Sequence, residues 1–254
     1  NKVLELGGED YKEMAEGDGH IKTGSVRRLI AGEPIGVFYG YRFDGIFQNE
    51  EECKQQTSSA SPIGVGLRRY KDLNGDGKVD AANDREILGD ANPKFFGGLT
   101  NTFAYKGFEL NVFLQYSYGN KILNYNAMEL ENPTGGQNAY ADMVNRWTPE
   151  NPSNIYPKAT TNRAILASDR FIEDGSYLKL KTLSLSYSFP KINMKHIQGL
   201  RLYVTGQNLL TWTKYRGYDP EVSYRGASTL EAGEDFGGYP QSRTFMFGVK
   251  LDIK

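Results

Sequence analysis

Cysteine is nearly absent. Cys53 is the only one in 254 residues, which excludes a disulfide framework and a cysteine metal cluster. Its polar surroundings, EECKQQ, read as a loop that happens to carry a thiol. Histidine is almost as scarce: His20 and His196 sit in separate polar connectors, with no spacing that makes a metal pair or a catalytic triad. The formal net charge is −1, so there is no basic field for nucleic acid and no acidic tail. No apolar run approaches the roughly eighteen residues that a membrane helix needs. The low mean hydropathy leaves a β-barrel open, because only alternate residues of a barrel strand face lipid. No signal peptide begins at Asn1. An outer-membrane protein requires one, so a barrel reading carries the expectation that this chain is a piece of a longer protein.

Aromatic residues are plentiful, at 13% with 17 Tyr and 13 Phe, and Gly reaches 29. The stretch at 95–118, FFGGLTNTFAYKGFELNVFLQYSY, organises them. It predicts two strands of about eleven residues around a tight Lys106-Gly107 turn, the length a barrel strand has. Side chains alternate sides along a strand. Phe108, Leu110, Val112, Leu114, Tyr116 and Tyr118 therefore share one face, and Glu109, Asn111, Gln115 and Ser117 the other, with Phe113 an apolar intruder. On the first strand Phe95, Leu99, Phe103 and Tyr105 oppose Thr100, Thr102 and Lys106.

The same alternation recurs at 35–47, 171–189, 200–215 and 244–253. At 171–189 the phase slips by one residue near Lys181, because Leu178 and Leu180 have the opposite parity to Leu183, Leu185 and Tyr187. That predicts a bulge. The connections fall into two classes: short after Tyr105 and Phe189, long at 48–94, 119–170 and 216–242. Short periplasmic turns and long extracellular loops are the asymmetry of a membrane β-barrel. This threading puts Trp212, Tyr215, Tyr116 and Tyr118 at an outer aromatic girdle, and Tyr105, Phe108, Tyr187 and Phe189 at an inner one. It counts about six strands, fewer than the roughly eight of the smallest membrane barrel. An open sheet in lipid leaves costly unpaired edges, so the strands are expected to be the tail of a larger antiparallel transmembrane barrel.

One motif carries chemistry. In DLNGDGKVDAAND, Asp72, Asn74, Asp76 and Asp80 supply oxygens at positions one, three, five and nine of a calcium loop, and Lys78 supplies its carbonyl at position seven. The twelfth position is Asn83, and Asp84 follows one residue late, so a bulge over Ala81-Ala82 would bring Asp84 in as the last ligand. The alternative is a surface turn whose Asp and Asn cap local backbone. Elsewhere, Glu173-Asp174-Gly175 reads as a turn, and NAYADMVNRW predicts one short helix. No catalytic or phosphate-binding constellation is present, so the reading is not an enzyme.

GEPIGVFYGYRFDGIFQ at 32–48, YKDLNGDGKVD at 70–80, LGDANPKFFGGLTNTFAYKGFEL at 88–110, DGSYLKLKTLSLSYSFP at 174–190 and GQNLLTWTKYRGYDPEV at 206–222 closely resemble the C-terminal barrel of SusC/RagA-type TonB-dependent outer-membrane transporters. The resemblance runs through nearly the whole chain. It implies a 22-stranded barrel, of which residues 1–254 would be the C-terminal part, without the plug, TonB box or signal peptide. It further implies TonB, a SusD-like surface lipoprotein, an oligosaccharide or peptide substrate, and a place in the Gram-negative outer membrane. The competing reading is a secreted calcium-binding β-sandwich, serving as an adhesin or glycan-binding module.

Overall fold

The computed structural model describes residues 1–13, 25–132, 138–161, 165–190, 196–222, 224 and 232–253. His20, the connector at 191–195 and parts of the segments 119–170 and 216–242 lie outside the described residues. The chain divides into two compact units.

One unit, Pro93–Gly119, Gly175–Pro220 and Tyr239–Lys254, is a single antiparallel sheet. Its strands are β1 (Phe95–Tyr105), β2 (Phe108–Tyr118), β3 (Tyr177–Ser188), β4 (Ile197–Thr213) and β5 (Thr244–Ile253). They lie in space in their order along the chain. The β1–β2 turn is the expected one: Lys106 and Gly107 have φ of 45° and 86°, the left-handed pair that a two-residue hairpin loop requires. A Cβ on Gly107 would stand 2.7 Å from the Ser188 carbonyl oxygen, so this turn tolerates no side chain there.

Register fixes the two faces. Leu110 pairs with Phe103 and Leu185, Leu185 with Val204, and Val204 with Phe247. Directly opposed residues share a face, so an apolar row crosses all five strands. The next row, Thr102, Asn111, Ser184, Thr205 and Met246, is mostly polar and lies on the opposite face. The bulge falls at the phase slip. Leu180 pairs with Leu114 and Leu210, Thr182 pairs with Phe113 and Gln207, and Lys181 is left over. The extra residue returns Leu178 and Leu180 to the face of Leu183 and Leu185.

The apolar face is exposed: Leu99, Phe103, Leu185, Leu202, Leu210, Phe247 and Leu251 all present their side chains outward. A sandwich would lay a second sheet over it, and among the described residues this unit holds one sheet. Aromatics gather at both ends. Phe95 stacks on Tyr118 at 4.9 Å, and Phe108 meets Tyr187 at 4.5 Å between centroids. Tyr215 departs from its expected girdle position. It is buried, and its ring lies where a Cβ on Gly217 would come within 2.3 Å. The strand has ended at Thr213, so Tyr215 belongs to the loop that folds back over Gly217. Among the described residues the sheet does not close: β1 and β5 have one partner each.

The other unit is Asn1–Asn92, Asn120–Asp174 and Glu221–Gly238. It is thus made from the segment before β1 and the long connections after β2 and β4. Here the strand expected at 35–47 is corrected. Val37–Tyr41 belongs to a four-stranded sheet with Tyr11–Glu13, Arg27–Ile30 and Arg85–Gly89, and Phe43–Ile46 pairs with Arg68–Tyr70. Val37, Phe38, Tyr41, Ile46 and Phe47 are buried. Consecutive Val37 and Phe38 point to opposite sides, so this strand is covered on both faces, unlike a strand with one face in lipid. Among the described residues the long strands therefore number five, not about six.

The unit's core combines Val26, Phe38, Leu123, Tyr125, Met128, Ile165 and Phe171, with Phe236 against it. A buried ion pair adds a further link, Arg27 Nε to Glu234 Oε1 at 2.7 Å. Arg27 also donates from Nη1 to the Gly36 carbonyl at 2.6 Å and lies over the Phe38 ring. Cys53 sits in a short helix, Glu50–Gln55, capped by Asn49. The helix expected around 138–147 is a 3-10 turn, Ala141–Asn145. Glu173-Asp174 ends a strand instead of forming a turn, and Glu173 accepts from Asn124 Nδ2 at 2.9 Å.

Candidate functional site

The polar face of the sheet is built by cross-strand pairs. Arg201 on β4 donates to Glu109 on β2 at 2.5 Å and to Ser186 on β3 at 2.7 Å, spanning three strands. The hydroxyls of Ser184 and Thr205 share a hydrogen bond of 2.7 Å. Asn111 donates to Thr102 at 2.9 Å, and Gln115 to Tyr177 at 3.2 Å. Such a surface presents hydroxyl, amide and charged groups to a polar medium or solute.

At the loop end of this face lies a pair that the sequence did not single out. Lys179 Nζ donates to Asp219 Oδ1 at 2.5 Å, with the two side chains 3% and 9% exposed. Asp219 comes from the GYDPE stretch, which gives that motif a structural purpose: Tyr215 folds over Gly217, and Asp219 is carried back to the lysine. Beside the pair a cavity of about 260 Å³ is lined by Asn208, Leu209, Thr211, Tyr218, Gln241 and Arg243 among others. It forms where the strand widens opposite Lys181, at Asn208 with φ of 52°.

The acidic loop gathers its residues as a set of capped turns. Asp72 accepts the N–H groups of Gly75 and Gly77, each at 2.7 Å. Asn74 accepts from Asp76 at 3.2 Å, and Asp76 from Lys78 at 2.8 Å. Asp80 accepts from Ala82 and Asn83 and pairs with the Lys78 ammonium at 3.1 Å. The Asn83 N–H, with help from Lys78, holds the Asp80 carboxyl below its ordinary range. Asp84 is fully buried and clasps the loop shut, taking the Leu73 N–H on one oxygen and the Asp80 N–H on the other, both at 2.7 Å. Among the described residues, no three His, Cys, Asp or Glu side chains converge as a metal-holding group. In donor type the loop fits a hard cation, since each carboxylate oxygen that accepts one N–H keeps a second lone pair.

An open antiparallel sheet of long strands, apolar on one exposed face and polar on the other, with every long connection at one end, is a portion of a barrel. Comparison with known proteins says which kind. No protein-family model matches the chain. Two TonB-dependent receptors of Formosa agariphila are 38% and 33% identical over 99% of the chain, which covers 25% and 26% of their own lengths. The TonB-dependent receptor SusC of Bacteroides thetaiotaomicron is 26% identical over 100% of the chain, which covers 23% of SusC. Among solved structures, the RagAB peptide transporter has a TM-score of 0.73 at 24% identity, over 98% of this chain and 26% of that one. The RagAB peptide importer in its open-open state gives 0.70 at 23% identity. The chain is homologous to a part of the TonB-dependent receptors, SusC among them, and spans about a quarter of the length of these relatives.

Proposed function

We propose that this chain is the C-terminal part of the barrel of a TonB-dependent outer-membrane importer in a Gram-negative bacterium. The observation that carries the reading is the five-strand sheet, with its exposed apolar face and its two unpaired edges. In lipid those edges must be joined by strands of the same barrel, and the share of each relative that the chain covers supports a larger closed whole. The apolar row faces lipid. The polar row, with Arg201, Glu109 and Ser184, faces the lumen, where the plug sits. The unit made by the connections shapes the outer mouth, under a SusD-like lipoprotein, and the cargo is an oligosaccharide or a peptide. Passage follows ligand binding under the lid and TonB-driven displacement of the plug, so no bond in the cargo is made or broken by this chain.

The test uses the full-length receptor. It is expected in the outer-membrane fraction, to migrate as a folded band unless heated, to co-purify with a surface lipoprotein, and to lose uptake when TonB is deleted. A receptor that extracts from cells as a soluble monomer without detergent would instead support the secreted module.

For the acidic loop we propose one calcium ion on Asp72, Asn74, Asp76, Asp80 and the Lys78 carbonyl, with Asp84 closing the shell. Chelation is expected to raise proteolysis within residues 70–90 while leaving the heat-resistant barrel band unchanged. Cleavage that ignores both chelator and added calcium assigns the loop to its own hydrogen bonds alone.

A further inference from the structure

The acidic loop holds the one Asn-Gly pair in the chain, Asn74-Gly75. In such a pair the backbone nitrogen of the glycine can attack the asparagine amide carbon, because glycine brings no Cβ to block the approach. Gly75 has φ of 77°, and nothing stands within 4 Å of the place its Cβ would take. Both residues are exposed, so water reaches them. These facts mark a vulnerable pair. The hydrogen bonds around it go further.

Each atom that changes its bonding in that attack has a partner suited to the change. The nucleophile is the Gly75 nitrogen, whose N–H donates to Asp72 Oδ1 at 2.7 Å. A carboxylate at that distance is placed to take the proton as a general base. Negative charge gathers on Asn74 Oδ1 as the amide carbon is attacked, and the Asp76 N–H donates to that oxygen at 3.2 Å. A backbone donor aimed there stabilises the developing oxyanion. The departing nitrogen, Asn74 Nδ2, donates to Asp76 Oδ2 at 3.0 Å. That carboxylate favours the positive charge the nitrogen acquires when it is protonated.

We infer that this loop modifies itself at Asn74, by deamidation through a cyclic imide. The bond from Gly75 N to Asn74 Cγ forms, and the Asn74 Cγ–Nδ2 bond breaks. The proton lost by Gly75 leaves with the amide nitrogen as ammonia. Water then opens the ring at either carbonyl. Cleavage at the side-chain carbonyl gives aspartate, and cleavage at the main-chain carbonyl gives isoaspartate. Both products add a carboxylate to a loop that already holds Asp72, Asp76, Asp80 and Asp84. Isoaspartate also lengthens the main chain by one carbon, which shifts the Gly75 and Gly77 N–H groups off the Asp72 oxygens they now share. This chemistry needs neither a bound cation nor transport.

The full-length receptor is incubated at neutral pH in water enriched in heavy oxygen, then digested with trypsin in ordinary water. Lys71 and Lys78 flank the pair, so residues 72–78 are released together. That peptide should gain about three mass units with time, one from replacing nitrogen by oxygen and two from the isotope. It should also split into aspartate and isoaspartate forms. The peptide carrying the exposed Asn49, which precedes Glu50, should stay unchanged over the same period. A 72–78 peptide that keeps its mass, or gains it no faster than the Asn49 peptide, overturns the proposal. Asp72→Asn keeps an acceptor for the Gly75 N–H but removes the base, so the folded variant should deamidate at Asn74 severalfold more slowly. An equal or faster rate in that variant overturns the assistance assigned to Asp72.

Discussion

Replacing Asp219 by alanine is expected to destabilise the sheet by about 3–5 kcal/mol, the cost of removing one partner of a buried ion pair. Lys179 has almost no access to water. Its ammonium is 2.5 Å from the Asp219 carboxylate, and in the variant that carboxylate no longer offsets the ammonium's desolvation. Lys179→Met should cost a comparable amount from the other side. The double variant Lys179→Met/Asp219→Leu should recover most of the loss, because an apolar pair of similar volume carries no desolvation penalty. Denaturant midpoints of the full receptor refolded into lipid, read through a double-mutant cycle, give the coupling. Single losses below about 1 kcal/mol would show that water screens the pair as it does at a surface.

Arginine placed on the two faces at one depth should separate them. Val112 and Asn111 are neighbours at the middle of β2; Val112 pairs with Leu183 on the apolar face, and Asn111 with Ser184 on the polar one. Val112→Arg is expected to cost about 2–4 kcal/mol, the penalty for a cation on the lipid face near the bilayer midplane. Asn111→Arg should cost far less, because a polar lumen hydrates the guanidinium. The fraction folded in vesicles measures both. Equal costs would place the two residues in similar surroundings and end the assignment of lipid and lumen faces.

What the sequence made readable was local. The 95–118 hairpin shows because its period of two and its Lys-Gly turn act over adjacent residues, and the bulge shows because Lys181 visibly breaks a phase. The segment 35–47 misled for the same reason: alternation is produced by any strand with unequal faces, and nothing within VFYGY reports that Tyr11–Glu13, Arg27–Ile30 and Arg85–Gly89 complete its sheet. The core around Phe38, Leu123 and Phe171 is assembled from distant segments, and no window of sequence contains its pattern. In the acidic loop the spacing drew attention to Asp72 through Asp84, which hydrogen bonds tie into one set of turns. The clasp by Asp84 was hidden, because a carboxylate that caps two N–H groups reads the same as one that awaits a cation. Nothing in the sequence around Lys179 marks it as one half of a buried ion pair. Its partner Asp219 is supplied 40 residues later, so only the folded chain discloses the pair.

The tie between Arg27 and Glu234 bridges 207 positions, and it constrains the order in which the protein can mature. Arg27 is made 207 residues before Glu234, and its buried counter-charge arrives only with the connection between β4 and β5. Until then the guanidinium has no carboxylate to enter the core with, so the unit cannot settle into its final packing. Contacts of such long sequence separation form late and slowly. This unit is therefore completed only after the fourth strand of the sheet has been made, because Glu234 follows it in the chain.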